Sequence, residues 1–213
     1  YDYDAPINEM GQATPKYMAL RELTQKYSKK KLAPIPAPIP VITFSATKTQ
    51  KYASIWDNLP AAKPIVQPLP MEMMNQYEGM ILYRTKLIGH KSGTLRVDEV
   101  HDYATVFLNG RYIGSIDRTL GQHSIDLPVS NVENPVLDIL VESMGRINFA
   151  AQMIDRKGIT DRVTLNGMTL MNWDAFNIPM STEYVSKLKQ TDTVRPGMFF
   201  KATVQLDKTG DCY

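Results

Sequence analysis

Cysteine is almost missing from this sequence: one residue, Cys212, stands next to the last of 213. That excludes an internal disulfide and a cysteine-based zinc site, and leaves the redox compartment undetermined. Histidine is nearly as scarce. His90, His101 and His123 share no ligand spacing, so the pattern offers no metal site. An excess of charge is missing as well. With 24 Lys and Arg against 22 Asp and Glu, the formal net charge is +2, short of the basic excess or stripe that nucleic-acid binding asks for. The one dense basic run, Lys29-Lys30-Lys31, precedes Pro34 and reads as a solvated helix end. No run of 18 apolar residues occurs, so the pattern of a membrane-spanning helix is lacking. No charged n-region with an apolar h-region opens the chain. The expectation is that these residues hold no signal peptide, the leader of any secreted parent being removed or upstream.

Signatures of catalysis are lacking too. There is no G-x-S-x-G, no phosphate loop and no dinucleotide fingerprint. Cys212 has no base argued beside it. Glycoside hydrolysis needs two carboxylates flanking the scissile bond. Asp98, Glu99, Asp102, Asp117, Glu142 and Asp174 are available, and none has a motif that singles it out. Glu142 near Arg146 reads as an ion pair. Arg146 can also meet a turn carboxylate or a backbone carbonyl with its fixed fork of donors. His101 reads as a hydrogen-bonded structural histidine rather than a ligand contact. Tyr103, Tyr112, Phe149 and Trp173 are candidate sugar platforms, each more readily placed in a core.

What is present is core. The hydrophobic fraction of 43% is enough for a globular interior in one large or two small domains. The stretch Asp98–Gly114 predicts strand, tight turn, strand. Ala104, Val106 and Leu108 alternate with Thr105 and Phe107, so both faces carry apolar material. Asn109-Gly110 tolerates the positive φ that a type I′ turn needs twice. A hairpin buried on both sides needs a second sheet.

Around it the chain reads in order. Thr14-Pro15 caps a helix over 15–28, with Tyr17, Leu20, Leu23 and Tyr27 as its stripe. Residues 32–40 hold four prolines at every second position and predict an extended spacer. Strands are expected at 41–49 and 199–206. Between them come a second proline-rich connection over 60–70 and a helical turn near Met71, Met74 and Tyr77. The methionine cluster Met71, Met73, Met74 and Met80 reads as flexible packing. Further strands are expected at 80–88, 95–100, 123–127, 135–141, 162–165 and 169–173, and weak helix at 183–189. Trp173 and Phe176 are expected to seal one end. Short strands at eight-to-twelve-residue spacing, without intervening helices, indicate a sandwich or jelly roll and not βαβ units. The abrupt ends suggest a chain that begins and stops in mid-domain.

A series of motifs opens with Tyr1–Ile7, Glu9, Gly11, Thr14, Lys16-Tyr17 and Leu20-Arg21. It continues with Tyr77-Glu78-Gly79, Leu82-Tyr83-Arg84-Thr85, Val100-His101-Asp102 and Phe107-Leu108-Asn109-Gly110. Then come Leu140-Val141-Glu142, Met144-Gly145-Arg146-Ile147-Asn148-Phe149, Lys157-Gly158-Ile159, Val163 to Leu165, Trp173 and Phe176. In these motifs and their order the chain resembles family 35 glycoside hydrolases, the β-galactosidases. Ser143 and Phe149 stand where members often carry Asn and Tyr. The resemblance implies a mainly β fold: a galactose-binding-like jelly-roll sandwich with an N-terminal strand and helix left over from a TIM barrel. It implies residues 1–31 as that remnant and 32–74 as linker and first strands of an outer β-domain. Residues 75–185 would be the inserted sandwich and 186–213 the return to the outer domain, truncated. Strands 41–49 and 199–206 would then share one sandwich. The implied parent is a retaining exo-β-galactosidase acting on terminal non-reducing β-D-galactose. Its two catalytic glutamates would lie outside this chain, and the chain alone is expected to be inactive. No cofactor is implied. Tyr3, with Tyr1 beside it, would be the surviving sugar contact. The expected partners are the barrel and, in the intact parent, a β-galactoside. A homo-oligomer and a secreted or periplasmic parent are further expectations. The competing readings are an independent carbohydrate-binding module and a small active enzyme.

Overall fold

A computed structural model describes residues 3–149, 151–191 and 194–210. The chain divides into two units: Tyr1–Thr49 with Ala202–Tyr213, and Gln50–Lys201.

In the first unit, helix α1 covers Pro15–Tyr27, as the proline and cap predict. The Thr14 hydroxyl accepts the Tyr17 N–H. None of its residues is buried: Leu20, Leu23 and Tyr27 are all exposed, so the expected stripe is present but uncovered. Ahead of it, residues 3–14 fold back through an isolated bridge between Ile7 and Ala13. The Asn8 side chain accepts the N–H groups of Met10 and Gln12 across that turn. The barrel strand expected at the start is not formed among residues 3–7. A strand needs a ladder partner, and the described residues there form bends. The expected strand at 41–49 is likewise not formed. Val41–Ser45 and Thr47 line a common groove with residues 203–208, without a ladder.

The second unit is built of antiparallel sheet. Its strands are β1 (Gln50–Ser54), β2 (Lys63–Ile65), β3 (Met80–Lys86), β4 (Gly93–Val97), β5 (Val100–His101), β6 (Tyr103–Leu108) and β7 (Arg111–Asp117). Then follow β8 (Ser124–Leu127), β9 (Val136–Glu142), β10 (Gly158–Ile159), β11 (Val163–Leu165), β12 (Met168–Thr169), β13 (Trp173–Ile178) and β14 (Met198–Lys201). A short helix α2, Thr182–Ser186, precedes β14. Six strands form one sheet in the order β2-β13-β3-β9-β6-β7, and four form another, β12-β11-β4-β8. Pro64 sits in β2, an edge strand, where a missing N–H costs no ladder bond. No helix among the described residues is long and apolar enough to cross a membrane.

The two sheets enclose one core. From the six-stranded sheet come Ile81, Tyr83, Ala104, Val106, Ile139, Val141 and Trp173. From the other come Leu95, Val97, Leu127, Val163 and Leu165. The arrangement is a β-sandwich. The outer face of the large sheet holds a second cluster of Ile55, Leu82, Phe107, Leu140, Phe176 and Ile178. This is why β6 and β9 are apolar on both faces. The same face carries Arg84 paired with Asp138 at 2.6 Å across β3 and β9. Trp173 and Phe176 therefore do not seal one end together. They lie three positions apart on β13, which sends them to opposite faces. The strand expected at 199–206 stops at Lys201. Its partner is β1, with Gln50 opposite Lys201, and not residues 41–49.

Candidate functional site

The hairpin β6–β7 turns at Asn109 and Gly110, both at positive φ, as the dipeptide predicts. The Asn109 carboxamide oxygen accepts the Val136 N–H at 2.8 Å, fixing the turn to the start of β9. Behind the entry to β6 the chain gathers its charges. Asp102 lies between β5 and β6, and Arg118 just after β7. Asp155 and Lys157 stand in the segment leading into β10. The Lys157 ammonium is 1% exposed. It sits 2.6 Å from Asp102 Oδ2 and 2.7 Å from Asp155 Oδ2. Arg118 Nη1 bridges the other oxygens of the same pair, at 2.8 Å and 2.9 Å. Two cations thus face two carboxylates. His101 joins through Nδ1, 3.0 Å from Asp155 Oδ1, and through Nε2, 3.1 Å from Glu99.

Desolvation raises the Asp155 pKa, but hydrogen bonds from Lys157 and Arg118 outweigh it and hold the carboxyl below the usual carboxylate range. Against its own desolvation, the hydrogen bonds to Asp102 and Asp155 raise the Arg118 guanidinium. Next door, the hydrogen bond from Arg162 holds Asp98 low, with Arg96 assisting. Tyr83, buried in the core, has its phenol pKa raised by burial. Its hydroxyl donates to the Leu69 carbonyl at 2.6 Å.

A second polar tie lies beside the first. Arg146 donates to Glu72 at 2.8 Å and to the Tyr77 carbonyl at 2.7 Å. Glu72 also accepts the Lys157 N–H. Arg146 therefore does not pair with Glu142. It takes both of the other roles its fork allows, a carboxylate and a carbonyl. Glu142 ends β9 on the exposed side.

These charges are committed to one another. Asp102 and Asp155 face each other, but with Lys157 buried between them no sugar ring can enter. Among the described residues no group of three or more His, Cys, Asp or Glu side chains could hold a metal ion. His101 and Asp102 belong to this structural cluster. Asp117 caps the turn after β7, its carboxylate accepting the Thr119 N–H at 2.8 Å. Asp174 is exposed on β13. Sequence reasoning missed Arg118 and Asp155 altogether, and reached Lys157 only through the resemblance. Apart from Asp155 and Lys157, which are two positions apart, the paired groups lie 16 to 55 positions from one another, and no local pattern joins them.

The aromatic candidates separate by burial. Trp173 is core. Tyr112 is exposed and meets Phe107 edge-on at 5.9 Å. Tyr103 is half-buried on β6. Phe149 stands 84% exposed in the segment after β9. Of the predicted sugar contacts, Tyr1 lies outside the described residues. Tyr3 belongs to the first unit and is 85% exposed, so a sugar laid on it alone would keep most of its hydroxyls in water. Close by, Asp4 pairs with Lys16 at 2.8 Å. Ala5, Pro6, Ile7, Tyr17, Leu20 and Arg21 line a largely apolar groove.

Comparison with known proteins adds the relationship that geometry leaves open. Residues 68–179 match the family described as β-galactosidase, first all-beta domain. The chain is 37% identical over 214 residues to a β-galactosidase of Xanthomonas manihotis, covering 100% of this chain and 36% of that protein. It is 35% identical over 197 residues to a β-galactosidase of Bos taurus, covering 88% and 30%. With β-galactosidase 1 of Dictyostelium discoideum the identity is 30% over 244 residues, covering 99% and 36%. The chain thus spans about a third of the length of these relatives.

Proposed function

This chain belongs to the β-galactosidase family of glycoside hydrolases, and from that premise we propose that it is the non-catalytic C-terminal region of a retaining exo-β-galactosidase. The parent enzyme removes terminal non-reducing β-D-galactose, with both catalytic glutamates carried on polypeptide outside this chain. In that parent, one glutamic acid protonates the leaving oxygen and the other attacks the anomeric carbon. Residues 1–31 are the end of the catalytic barrel, and residues 75–185 a jelly-roll domain inserted within an outer β-domain.

The observation that carries this reading is the fate of the acids. A retaining pair stands about 5 Å apart across an open site. Here the opposed pair, Asp102 and Asp155, is bridged by a lysine that is 1% exposed. Such a cluster holds the sandwich together and has no free carboxylate to protonate a leaving group. The sandwich accordingly serves as a support for the barrel and the rim of its active site. Tyr3, with Tyr1 as its neighbour, is assigned to galactose, Tyr3 placing its phenol against a sugar hydroxyl.

Two measurements test the reading. The purified 213 residues should leave a chromogenic β-galactoside intact, and hydrolysis above background would overturn the assignment. In the full-length enzyme, Tyr3→Phe should raise KM or lower kcat/KM several-fold. Unchanged kinetics would remove Tyr3 from the sugar site.

A further inference from the structure

Two asparagine-glycine turns of the sandwich, Asn109-Gly110 and Asn166-Gly167, are built to one pattern. At Asn109 the backbone N–H donates to the Val136 carbonyl and the carboxamide oxygen accepts the Val136 N–H, both at 2.8 Å. At Asn166 the backbone N–H donates to the Thr94 carbonyl at 2.9 Å, and the carboxamide oxygen accepts the Thr94 N–H at 3.0 Å. A backbone donor thus fixes which end of each carboxamide is oxygen, and the amide nitrogen lies on the other side. There the turns differ. The Asn109 nitrogen donates to the Ser130 hydroxyl at 3.2 Å. The Asn166 nitrogen donates to the Ser92 carbonyl at 2.9 Å. A hydroxyl can rotate and donate, whereas a carbonyl only accepts. The charges nearby differ in the same sense. Arg195 reaches the first turn, its guanidinium 3.6 Å from where a Cβ on Gly110 would stand. At the second, the Thr94 hydroxyl donates to Asp126 at 2.7 Å, so a carboxylate is already close. The ladders differ as well. β6 and β7 are paired from Tyr103–Asp117 to Leu108–Arg111. β11 and β12 are paired only at Thr164–Thr169 and Leu165–Met168, and β12 is the edge of its sheet.

We propose that Asn166 is a site of spontaneous deamidation whose product does not fit its own turn. In the closed turn the bonds to Thr94 and Ser92 hold the carboxamide away from the chain. The short edge ladder opens at little cost, and the Gly167 nitrogen then reaches Asn166 Cγ. Nothing crowds that approach: a Cβ on Gly167 would meet no atom within 4 Å. Hydroxide takes the Gly167 amide proton, the nitrogen bonds to Cγ, and the carboxamide nitrogen takes a proton from water and leaves as ammonia. Water adds to one of the two carbonyls of the resulting five-membered succinimide and breaks that carbon–nitrogen bond, leaving aspartate or isoaspartate. No oxidant or reductant takes part. In the product a carboxylate oxygen faces the Ser92 carbonyl, acceptor against acceptor, with Asp126 as a like charge beside it. The turn then loses its hold on the start of β4. At Asn109 the same change is accommodated, because Ser130 can donate and Arg195 supplies a cation. This inference stands apart from the supporting role proposed above.

Timed incubation of the full-length protein in warm, mildly alkaline buffer provides the test. Trypsin puts the two asparagines on separate peptides, 97–111 and 163–187, and mass spectrometry reads aspartate and isoaspartate at each. Asn166 should convert about tenfold faster than Asn109, as the shorter ladder opens more often, with isoaspartate among its products. Equal rates, or a faster Asn109, overturn the proposal. So does aspartate at 166 without isoaspartate, because the succinimide is then bypassed. Substitutions read the consequence. Asn166→Asp should melt roughly 3–8 °C below the parent, and Asn109→Asp within about 2 °C of it. Equal melting temperatures for the two variants overturn the misfit at Ser92. If Asn166→Asp does not fold, the comparison of rates in the parent still decides.

Discussion

Removing the Lys157 ammonium would leave two carboxylates with Arg118 as their one bridging cation, where water barely enters. Lys157→Met should therefore destabilise the protein by roughly 3–5 kcal/mol, the cost of breaking a buried ion pair on one side. Urea unfolding followed by tryptophan fluorescence measures it. Lys187→Ala, which breaks an exposed pair with Glu183, should stay within about 0.5 kcal/mol of the parent. The cluster and the neighbouring Asp98 pairs together set an acid limit. Asp155 and Asp98 have folded-state pKa values below the ordinary one. The unfolded chain then binds more protons, so their contribution is complete above about pH 4 and fades as pH falls through the folded values. Asp155→Asn should lower stability at neutral pH and flatten the decline below about pH 4, as seen in unfolding midpoints across pH. An equally steep decline in the variant would place acid sensitivity elsewhere. None of this was legible from sequence. A charge cluster is a property of pairs brought together by topology, and Asp102 meets Lys157 across 55 positions. Arg146 was legible in kind, since its fork suggested a carboxylate or a carbonyl, but not in partner.

At the scale of elements, strands that carry their own pattern were readable. Helix α1 follows its cap and proline, and the β6–β7 hairpin follows its alternation and its Asn-Gly turn. Segments whose state depends on a neighbour were not. Residues 41–49 alternate like a strand yet form no ladder, because alternation describes faces and does not supply a hydrogen-bonding partner. Trp173 and Phe176 cannot share one face, because an odd spacing on a strand sends them to opposite sides. A pair of glycines separates backbone cost from packing cost. Gly79, just before β3, and Gly89, just after it, both sit at φ +85°. A Cβ at Gly79 would fall 2.3 Å from the Ile178 carbonyl oxygen, while one at Gly89 meets nothing within 4 Å. Each alanine bears about 1–2 kcal/mol for its left-handed backbone. Gly79→Ala should be worse by a further 1–3 kcal/mol, roughly, because it must push β13 away from β3. Thermal melts of the two variants side by side decide it, and equal melting temperatures would refute the steric part.

For the whole molecule, the two units differ in how their backbones are satisfied. Residues 32–49 are largely exposed and outside any ladder, whereas Gln50–Lys201 holds the ladders and the core. Limited trypsin digestion of the 213 residues should cut first at Lys29–Lys31 and Lys48, leaving a resistant product that begins near Gln50. Early cuts inside β3 or β9 would contradict that ordering. The sandwich class was legible from strand spacing, and the family from motif order along the chain. The sugar contact was named through resemblance alone, and Tyr3 stands exposed on the first unit.

The pairing of β1 with β14 has a practical outcome for anyone rebuilding this protein. Gln50 and Lys201 are direct partners across two antiparallel strands, so their backbones are about 5 Å apart. The 152 residues from one to the other enter and leave through a single doorway. A block with that property can be lifted out of its host and the gap closed by a two-residue turn. It can equally be reopened at the exposed residues 88–90, its old ends sewn together, to make a circular permutant whose strand order in space is unchanged. The sandwich is in that sense a cassette, portable in one piece.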